Sequence, residues 1–441
     1  MSARPIWKTW SGVASCSPRH LVAPTTEDGI ADAVRLAARE DLVLRAAGTG
    51  HSFNPLATTD GVLADLTRYT GIVSVDHTTP SVTVRAGTLL DDLTAALHRQ
   101  GLALPNVGTL GGQTVAGAVS TGNHGTGLAH PPLSGEILAM NLVDADGKVR
   151  TLDRECEPEL LRAARTGLGA LGVVSTVTLR CVPAFNLRVT QGGEPLDALL
   201  ERFTGWAGSA DHVTFTWQPW SDRAGTRSLH RTQEPATRTG DRKRYGTTLG
   251  ELWCGVLGHA GRISPAAVPR LSGLFDGGAP AQEFTGAGHR VFTFPQPVRF
   301  IALEHCLPLA NVPDALRELR PALRRSGLQS PYSVLGRVGA GDDSPLSPAH
   351  GTGPVGYLNL TVPRMSPYLE LLRTVEHVLR EHGARPHWGK AHTATAEVLA
   401  PRYPEWETFQ RVRAELDPEG RFTNDYLRRV LGPVRVPAGN G

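Results

Sequence analysis

Residues 108–127 read Gly-Thr-Leu-Gly-Gly-Gln-Thr-Val-Ala-Gly-Ala-Val-Ser-Thr-Gly-Asn-His-Gly-Thr-Gly, and this stretch decides the fold. It is rich in glycine, threonine, serine and asparagine and has no Asp, Glu, Lys or Arg. A solvated loop of this length would be expected to carry charges. The composition instead favours a backbone packed against a polar ligand, because glycine lets the main chain approach closely.

A shorter glycine turn, Gly48-Thr49-Gly50, lies upstream in the same predicted domain. The apolar run 42–46 has a β-branched centre and predicts a strand that leads into this turn. Glycine permits positive φ, so successive N–H groups can point at a diphosphate. A Rossmann motif needs a third glycine that opens a helix, but here that glycine is absent and Pro55 interrupts any helix. Two such loops predict a large ligand gripped along its length.

Alternating helix and strand patterns surround both loops. Thr25-Thr26-Glu27-Asp28 resembles a helix N-cap with an acidic first turn, and apolar residues then recur at helical spacing. Patterns elsewhere predict strands over 61–66, 72–76 and 81–86, helices over 89–100 and 403–416, and a hairpin over 143–151. The composition changes after Pro183, which predicts a domain boundary there.

The bulk composition is typical of a soluble globular protein, with 40% hydrophobic and 20% charged residues. With 441 residues the chain is expected to form two or three domains. Its net charge of +3 is a slight excess of 45 basic over 42 acidic residues. The dense basic cluster, Arg238, Arg242, Lys243 and Arg244, is typical of a solvated loop. Nucleic acid is therefore not an expected partner, and the sequence carries no signal for an oligomeric state.

The cysteines and the first residues of the chain indicate the cellular compartment in which the protein is expected. The five cysteines are widely spaced and form no C-x-x-C pair, which argues against a disulfide framework or a zinc site. No metal is expected. Residues 1–8 lack the apolar core of a signal peptide, and no stretch approaches the ~18 apolar residues that span a bilayer. A cytoplasmic protein with no membrane partner is the expectation.

The two loops, together with Gly167-Leu168-Gly169-Ala170-Leu171-Gly172-Val173-Val174, resemble the FAD-binding domain of the vanillyl-alcohol oxidase (PCMH-type) superfamily. Three C-terminal segments, at 385–390, 416–424 and 427–432, make the resemblance closest to the alditol and aldonolactone oxidases. The resemblance implies an α+β fold. Two α/β subdomains would form an FAD-binding domain (1–184), an antiparallel sheet flanked by helices would form a substrate-binding cap (185–393), and residues 394–441 would return to the first domain.

The resemblance also implies a set of FAD contacts. His124 among them is expected near the phosphates or the ribityl chain. The implied residues are Ala47, Gly48, Thr49, Gly50, His51, Ser52, Thr109, Thr114, Gly117, Thr121, Gly122, Asn123, His124, Gly127, Val173, His387, Lys390 and Asn424.

His51 occupies the place where the family joins a histidine to the 8α-methyl group of the isoalloxazine. A covalent imidazole substituent withdraws electrons, so it would raise the flavin potential and prevent loss of the cofactor. The alternative is a histidine that only forms hydrogen bonds within its turn. The resemblance favours covalent attachment.

Four residues are implied in catalysis. Lys390, in the motif His387-Trp388-Gly389-Lys390, would lie beside the flavin and stabilise negative charge on its reduced form. The chain has only four lysines, so a lysine inside this aromatic and glycine motif is expected to have a function and not to be an ordinary surface residue. Arg337 and Thr109 would face the substrate. Gly108, with no Cβ, would leave oxygen a path to the flavin C4a, which favours an oxidase that produces hydrogen peroxide over a strict dehydrogenase.

The substrate half departs from its relatives. A family Glu-x-Arg element corresponds to the stretch that ends at Arg337, but Val334 or Leu335 stands at the glutamate position. Glu304 is a possible replacement, although it equally suits an exposed strand position. The strand 355–362 would present either Leu358 and Leu360 or Asn359 and Thr361 to the pocket, and a one-residue change of register reverses the choice.

The sequence therefore predicts an FAD-dependent oxidase that removes a hydride from a C–OH carbon of a small hydroxylated molecule of alditol or aldonolactone type. Losing one polar partner of a substrate hydroxyl can cost ~1–3 kcal/mol. The missing glutamate therefore keeps a second interpretation open, the same flavin chemistry on a larger or less polar secondary metabolite. A flavin-binding protein without turnover is a third.

Overall fold

The computed structural model of the chain describes residues 4–237, 281–293, 296, 299–326, 333–364 and 368–435. The predicted basic loop at Arg238, Arg242, Lys243 and Arg244 lies outside the described residues. The strands, in chain order, are β1 Trp7–Lys8, β2 Ser15–Cys16, β3 His20–Val22, β4 Leu44–Ala47, β5 Val62–Asp65, β6 Ile72–Asp76, β7 Ser81–Arg85, β8 Leu102–Ala103, β9 Ile137–Val143, β10 Val149–Asp153, β11 Val173–Arg180, β12 Val182–Pro183, β13 Asn186–Pro195, β14 His212–Trp217, β15 Arg223–Thr232, β16 Gln282–Ala287, β17 Phe300–Pro308, β18 Val334–Gly339, β19 Val355–Pro363 and β20 Arg385–Pro386.

Helices connect and cover these strands. The α-helices of the described residues are α1 Glu27–Arg39, α2 Leu90–Arg99, α3 Val115–Ser120, α4 Pro158–Arg165, α5 Leu196–Glu201, α6 Phe203–Ala207, α7 Gly288–Val291, α8 Val312–Arg325, α9 Tyr368–Glu381, α10 Ala396–Leu399, α11 Trp406–Leu416 and α12 Asp425–Leu431. Single 3-10 turns occur at Leu66–Arg68, Leu133–Glu136, Leu309–Asn311 and Ala400–Arg402. No helix among the described residues has the length and apolar character needed to cross a bilayer.

Three larger sheets organise the described chain. A parallel three-stranded sheet has the order β3-β5-β4, and an antiparallel five-stranded sheet has the order β10-β9-β11-β7-β6. The third sheet has eight strands in the order β16-β13-β15-β14-β18-β19-β17-β20 and is antiparallel at every pairing. Mixed helices with a large antiparallel sheet confirm the predicted α+β class.

Local sequence signals set several elements correctly. Helix α1 starts where predicted, because the Thr26 side chain accepts a hydrogen bond from the Gly29 N–H, and Ile30 and Val34 of this helix are fully buried. The predicted hairpin is present, with Val149 opposite Val143. The long glycine-rich run contains a helix that the sequence did not predict, the six-residue α3. Its small apolar residues are too few to show a helical period.

Two hydrophobic cores hold these layers together. The first joins the three- and five-stranded sheets to α1, α2 and the C-terminal helices α11 and α12, with Val34, Val177 and Phe409 fully buried in it. The second lies between one face of the eight-stranded sheet and helices α5, α8 and α9, and includes Leu303 and Leu316. One face of the eight-stranded sheet is thereby occupied by helices. Its other face carries the polar residues described below. The predicted domain bounds stay predictions.

Candidate active site

The first glycine turn and the start of α3 form opposite walls of one cleft. A Cβ added at Gly48 would lie 2.1 Å from Oγ1 of Thr114, so only glycine lets the two loops come this close. Oγ1 of Thr49 donates a hydrogen bond of 2.8 Å to the carbonyl of Gly112. The cleft is lined by Trp7, Thr9, Arg45, Ala46, Ala47, Gly48, Thr49, Gly50, His51, Ser52, Asn54, Leu56, Ala57, Leu66, Gln113, Thr114, Ala116, Gly117, Ser120, Thr121, Leu168, Gly169, Gly172 and Val174.

Arg45 fixes the third segment of this cleft. Its buried guanidinium donates hydrogen bonds to the carbonyls of Leu56, Leu168, Gly169 and Phe422, so one side chain ties the strand β4 to three separate loops. The guanidinium supplies the donors for these four backbone carbonyl groups, which need hydrogen-bond partners where they are buried. The glycine-rich segment at 167–172 is therefore held against the cleft by the first sheet.

Val173 was predicted as a cofactor contact, but its neighbour Val174 lines the cleft instead. Val173 is 1% exposed and belongs to the first core. Successive residues of a strand point to opposite faces, so the side chains of Val173 and Val174 lie on opposite sides of β11, and a contact of Val173 with the cofactor stays a prediction. Gly172, which precedes the strand, does line the cleft and has φ of 148°.

His51 stands where the first cleft meets a second pocket and lines both. Its Nδ1 atom is buried and has no hydrogen-bond partner among the described residues. Burial, followed by the positive charge of Lys390, lowers the pKa of His51 to about 4. The ring is thus neutral near pH 7. The indole of Trp10 lies beside it, with ring centroids 5.2 Å apart.

The second pocket is polar almost throughout. It brings together loop residues of the first domain, two residues of the eight-stranded sheet and the segment that follows β20. Its lining consists of His51, Ser52, Thr109, Leu110, Gln113, Thr121, Asn123, His124, Glu304, Arg337, His387, Gly389 and Lys390.

Glu304 is the central group of this pocket and is 1% exposed. Its Oε1 accepts a hydrogen bond of 2.5 Å from Nη2 of Arg337, and its Oε2 lies 3.4 Å from Nζ of Lys390. Oε2 also accepts from Nδ2 of Asn359 at 3.1 Å. Burial alone would raise the pKa of the Glu304 carboxyl, but Arg337 and Lys390 together lower it well below its ordinary value. The carboxylate is therefore ionised and clamped between two cations.

Strand register explains how these groups meet. Glu304 of β17 pairs with Asn359 of β19, which pairs with Leu335 of β18. Residues directly opposite each other share a face of the sheet, so all three point to the pocket side, as does Arg337 two residues after Leu335. Leu335 therefore faces the pocket side, whereas Val334 lies in the second core. The pocket's carboxylate comes from Glu304, two strands away.

The same register decides the two alternatives that the sequence left open. Leu358 and Leu360 are buried in the second core, on the helix side of the sheet. Asn359 and Thr361 point the other way, and Oγ1 of Thr361 donates to Oδ1 of Asn359 at 3.2 Å. The pocket face of β19 is polar. The alternative of an exposed position for Glu304 is wrong.

Lys390 is positioned by the first domain. Nδ2 of Asn54 donates to the carbonyls of both Trp388 and Lys390, which ties the lysine segment to the chain just after the first glycine turn. The Lys390 ammonium lies 5.2 Å from the ring centroid of Phe53, within cation–π range. Burial lowers the pKa of Lys390, while Glu304 opposes that shift. The lysine side chain is 13% exposed, more than Glu304 or Arg337, and so reaches the pocket.

Other predicted site residues shape the pocket from behind. A Cβ at Gly108 would lie 2.5 Å from Oδ1 of Asn123, so this glycine packs against a lining residue. Asn424 caps α12 and donates to the carbonyls of Pro55, Leu56 and Thr58, beside the first loop. Neither lines the first cleft or the second pocket, nor do Gly122 and Gly127, which both have positive φ.

His124 lines the second pocket and not the cleft beside α3, and its expected place near the phosphates or the ribityl chain stays a prediction. Its Nε2 is 3.1 Å from Oε1 of Glu304. The sequence analysis also missed Gln113, which lines both cavities and accepts a 2.6 Å hydrogen bond from Nδ2 of Asn123. The position of Gln113 in the uncharged run 108–127 is the sequence feature that could have indicated a place in the site.

His124, Glu304 and His387 also place three possible metal-ligand atoms within 4.8 Å of one another. Arg337 and Lys390 already contact the Glu304 carboxylate. A divalent cation would have to enter beside two fixed positive charges, which Coulomb repulsion opposes. The electrostatics favour an organic anion or a polarised hydroxyl at this position over a metal ion.

Comparisons with known proteins agree with this arrangement. The family described as D-arabinono-1,4-lactone oxidase matches residues 177–430, more than half of the chain. The chain belongs to the D-arabinono-1,4-lactone oxidase family. A second match, to an FAD binding domain, covers residues 18–153 of this family member and contains both glycine loops.

Two relatives and one solved structure illustrate the likeness of this D-arabinono-1,4-lactone oxidase family member. L-gulono-1,4-lactone dehydrogenase of Mycobacterium tuberculosis (strain CDC 1551 / Oshkosh) is 37% identical, over 97% of this chain and 100% of the relative. L-gulonolactone oxidase of Mus musculus is 30% identical, over 96% and 98%. A solved structure of a solvent-stable cholesterol oxidase matches with a TM-score of 0.82 at 19% identity, over 98% of both chains, which shows a shared fold.

The family and the structural likeness confirm three predictions: the superfamily, the PCMH-type α+β fold and FAD as cofactor. The protein is an FAD-linked oxidoreductase. The first cleft fits this cofactor, because glycine at Gly48 leaves only backbone at that point of the wall, where a ligand can approach closely. His51, whose Nδ1 has no hydrogen-bond partner among the described residues, lies where the cleft meets the second pocket. Main-chain N–H groups near Thr49 and Thr114 would hold the diphosphate, and the second pocket would then lie on the flavin side.

Proposed function

We propose that this protein oxidises a C–OH carbon of a small polyhydroxylated molecule, of aldonolactone or alditol type, and passes the electrons to molecular oxygen to give hydrogen peroxide. The observation that carries the proposal is the buried Glu304–Arg337–Lys390 cluster, which opens on a polar pocket adjoining His51. When bound, FAD supplies the hydride acceptor at its N5 atom.

The pocket lining supports a small polar substrate. Leu110 is the one large apolar side chain among the lining residues of the second pocket. Hydroxyl, amide, imidazole and charged groups form the rest, and a substrate that left them unpaired would bind poorly. The two relatives, named for activity on gulonolactone, point to the same substrate class. Leu335 supports the second candidate, a larger or less polar metabolite, because it removes a carboxylate from the sheet face.

The cationic groups have distinct roles in this proposal. Arg337 donates to Glu304 and to the carbonyl of His124, so it is fixed in place and can present its remaining edge to a substrate oxygen. Lys390 stabilises the negative charge that the reduced cofactor acquires, which is worth most in a dry site prepared in advance. Thr109 lines the same pocket and supplies a hydroxyl that can orient the substrate.

A substrate panel tests the proposal. Steady-state peroxide release is measured with L-gulono-1,4-lactone, D-arabinono-1,4-lactone, xylitol and sorbitol, and a Lys390→Met variant serves as the inactive control. Robust turnover of any compound supports the small-substrate proposal. If none turns over while a bulkier, less polar alcohol does, the second candidate replaces it.

His51→Ala tests covalent attachment of the cofactor. His51 is neutral and its Nδ1 has no hydrogen-bond partner among the described residues, so the nitrogen lone pair is available to bond to carbon. We expect acid precipitation of the wild-type protein to leave the yellow colour in the pellet and that of His51→Ala to release it. His77→Ala, at an exposed turn, is the matched control. Complete release of flavin from the wild-type protein contradicts attachment.

Gly108→Ala tests the route of oxygen. The new methyl group would meet the Asn123 side chain at 2.5 Å and push it into the pocket. We expect the rate of flavin reoxidation by oxygen to fall by at least ~10-fold, equivalent to ~1.4 kcal/mol of barrier, and by far more than flavin reduction by substrate. Stopped-flow kinetics separates the two half-reactions. The control is Gly192→Ala, because nothing lies within 4 Å of the added Cβ. Equal effects of both variants on reoxidation exclude the route.

A further inference from the structure

Packing holds the imidazole of His51 in place. Among the described residues no group forms a hydrogen bond with this ring, and its Nδ1 is buried. The indole of Trp10 packs beside the imidazole, with ring centroids 5.2 Å apart and planes inclined by 34°. A Cβ added at Gly112 would lie 3.4 Å from Nε2 of His51, so the backbone of Gly112 lies next to that edge of the ring. The shapes of the neighbouring groups therefore set the orientation of the imidazole.

The indole of Trp10 is itself held from several sides. The Trp10 backbone N–H donates a 2.8 Å hydrogen bond to the carbonyl of Gly50, the residue before His51. Phe300 meets the indole edge-on, with centroids 5.3 Å apart, and Phe53 does so at 6.4 Å. The two phenyl rings stack on each other at 5.5 Å. Edge-to-face and offset-stacked pairs are the arrangements that aromatic rings prefer, so this cluster gives the imidazole a fixed surface to rest on.

Trp10 lies in the turn of the N-terminal hairpin formed by β1 and β2. A Cβ added at Gly50 would lie 3.1 Å from the Trp7 ring and 3.3 Å from Cα of Thr9, so the hairpin packs directly on the first glycine turn. Trp10 lines neither the first cleft nor the second pocket, whereas His51 lines both. An influence of Trp10 on a cofactor in the cleft is therefore expected to pass through His51.

Covalent attachment of FAD depends on the direction of an imidazole nitrogen. A bond forms between that nitrogen and the 8α carbon, while one C–H bond of the methyl group and one N–H bond of the imidazole break. The electron pair passes to the flavin and then to molecular oxygen, the acceptor proposed above, and the two released protons complete hydrogen peroxide. Reacting atoms have to be held about 3–3.5 Å apart in the correct direction, and a misplacement of about 1 Å can cost ~10²-fold in rate.

We propose that Trp10 is a positioning residue for flavin attachment, which holds the imidazole of His51 in the orientation from which a ring nitrogen reaches the 8α-methyl group of FAD. This inference rests on the covalent attachment proposed above. Nε2 lies next to Gly112, which leaves Nδ1 as the free nitrogen. Because the indole does not line the cleft, Trp10 affects the rate at which the bond forms and not the affinity for FAD.

The rate of attachment tests this inference. Full-length protein made in riboflavin-starved cells is mixed with saturating FAD in air, and acid-precipitated samples are scored over time for flavin that stays in the pellet. In Trp10→Leu we expect the dissociation constant for FAD to stay within ~3-fold of wild type and acid-stable flavin to form at least ~10-fold more slowly. Trp10→Phe should recover most of the rate, because it restores an aromatic ring beside the imidazole.

Trp220→Leu is the matched control, since Trp220 is another partly buried tryptophan that lines neither the first cleft nor the second pocket. It should leave the attachment rate unchanged even where it lowers the unfolding midpoint. Attachment in Trp10→Leu within ~3-fold of the wild-type rate overturns the inference, as does a Trp10→Phe protein that stays as slow as Trp10→Leu. If Trp10→Leu does not fold, Trp10→Met, whose flexible side chain fills gaps without an aromatic face, is judged by the same criterion.

The wild-type protein separates this inference from the proposals it builds on. If wild-type protein forms no acid-stable flavin, covalent attachment fails and the role of Trp10 fails with it. If wild type and Trp10→Leu form acid-stable flavin at the same rate, only the role of Trp10 fails. The oxidation proposal is decided by the substrate panel in both cases.

Discussion

Glu304→Gln is expected to lower the rate of anaerobic flavin reduction by about 10²- to 10³-fold, because it leaves two buried cations without their counter-charge. The amide has nearly the same size, so the pocket keeps its shape. Arg337 and Lys390 would then face a neutral group, and each would repel the other. Removing one partner of a buried ion pair typically costs ~3–5 kcal/mol, so the thermal unfolding midpoint should also fall.

A matched variant separates the catalytic from the structural effect of Glu304. Glu136 is also a buried carboxylate, 3% exposed and paired with Arg180, but it lines neither the first cleft nor the second pocket. Glu136→Gln should lower stability without lowering the rate of flavin reduction. Flavin content and the unfolding midpoint are measured for both variants. A Glu304→Gln enzyme that reduces its flavin within ~3-fold of the wild-type rate would show that the cluster has no part in the chemistry.

Lys390→Met is expected to lower flavin reduction by roughly 10²–10³-fold and to lower the reduction potential of the bound flavin. Methionine keeps much of the length and the contact with Phe53 but removes the positive charge. Without that charge the reduced, anionic form of the cofactor loses its stabilising partner. Lys390→Arg should restore only part of the activity, because a planar guanidinium does not replace a compact ammonium in a closed pocket.

The potential of Lys390→Met is measured by equilibration with a reference dye, and the rate by anaerobic stopped flow. Lys148→Met is the control, since Lys148 is an exposed lysine paired with Asp146 on the hairpin turn. It should change neither quantity. A Lys390→Met protein with the wild-type potential would place the lysine charge away from the flavin and contradict the role assigned to it.

The cofactor half of the molecule was readable because its signals are local. The strand before Gly48, the cap at Thr26 and the hairpin turn at 144–147 each depend on residues adjacent in sequence. Glycine at Gly48 is required by a 2.1 Å approach to Thr114, and the sequence shows both residues inside glycine-rich runs. Motifs of this kind can be recognised in the sequence without knowledge of the tertiary structure.

The ionic cluster was not readable in the same way. Glu304 meets Arg337 and Lys390 only because β18, β19 and β17 are neighbours and their register sets Glu304, Asn359 and Leu335 in one row. A register shift of one residue would turn Leu358 toward the pocket and Asn359 toward the second core. The alternation of residue types along β19 therefore does not by itself decide which side chains face the pocket. The presence of Val174, and not Val173, in the lining of the first cleft has the same cause. Local sequence predicts that a residue belongs to a strand, but the pairing with neighbouring strands decides which face of the sheet its side chain lies on.

His124 illustrates a second limit. The family resemblance predicts a place near the cofactor phosphates or the ribityl chain, but it does not predict the contact with Glu304, which the ring reaches after the chain turns at Gly122, where φ is 72°. The partner was set by a strand 180 residues further on, counted from His124 to Glu304.

Anaerobic mixing of the purified flavoprotein with each of the four panel compounds tests most directly whether this protein is a hydride-abstracting oxidase of small hydroxylated molecules. At least one compound should bleach the oxidised flavin absorbance, and readmitted oxygen should restore it with about one hydrogen peroxide per flavin. Persistence of the oxidised spectrum with all four compounds, in a preparation that dithionite reduces fully, would contradict it.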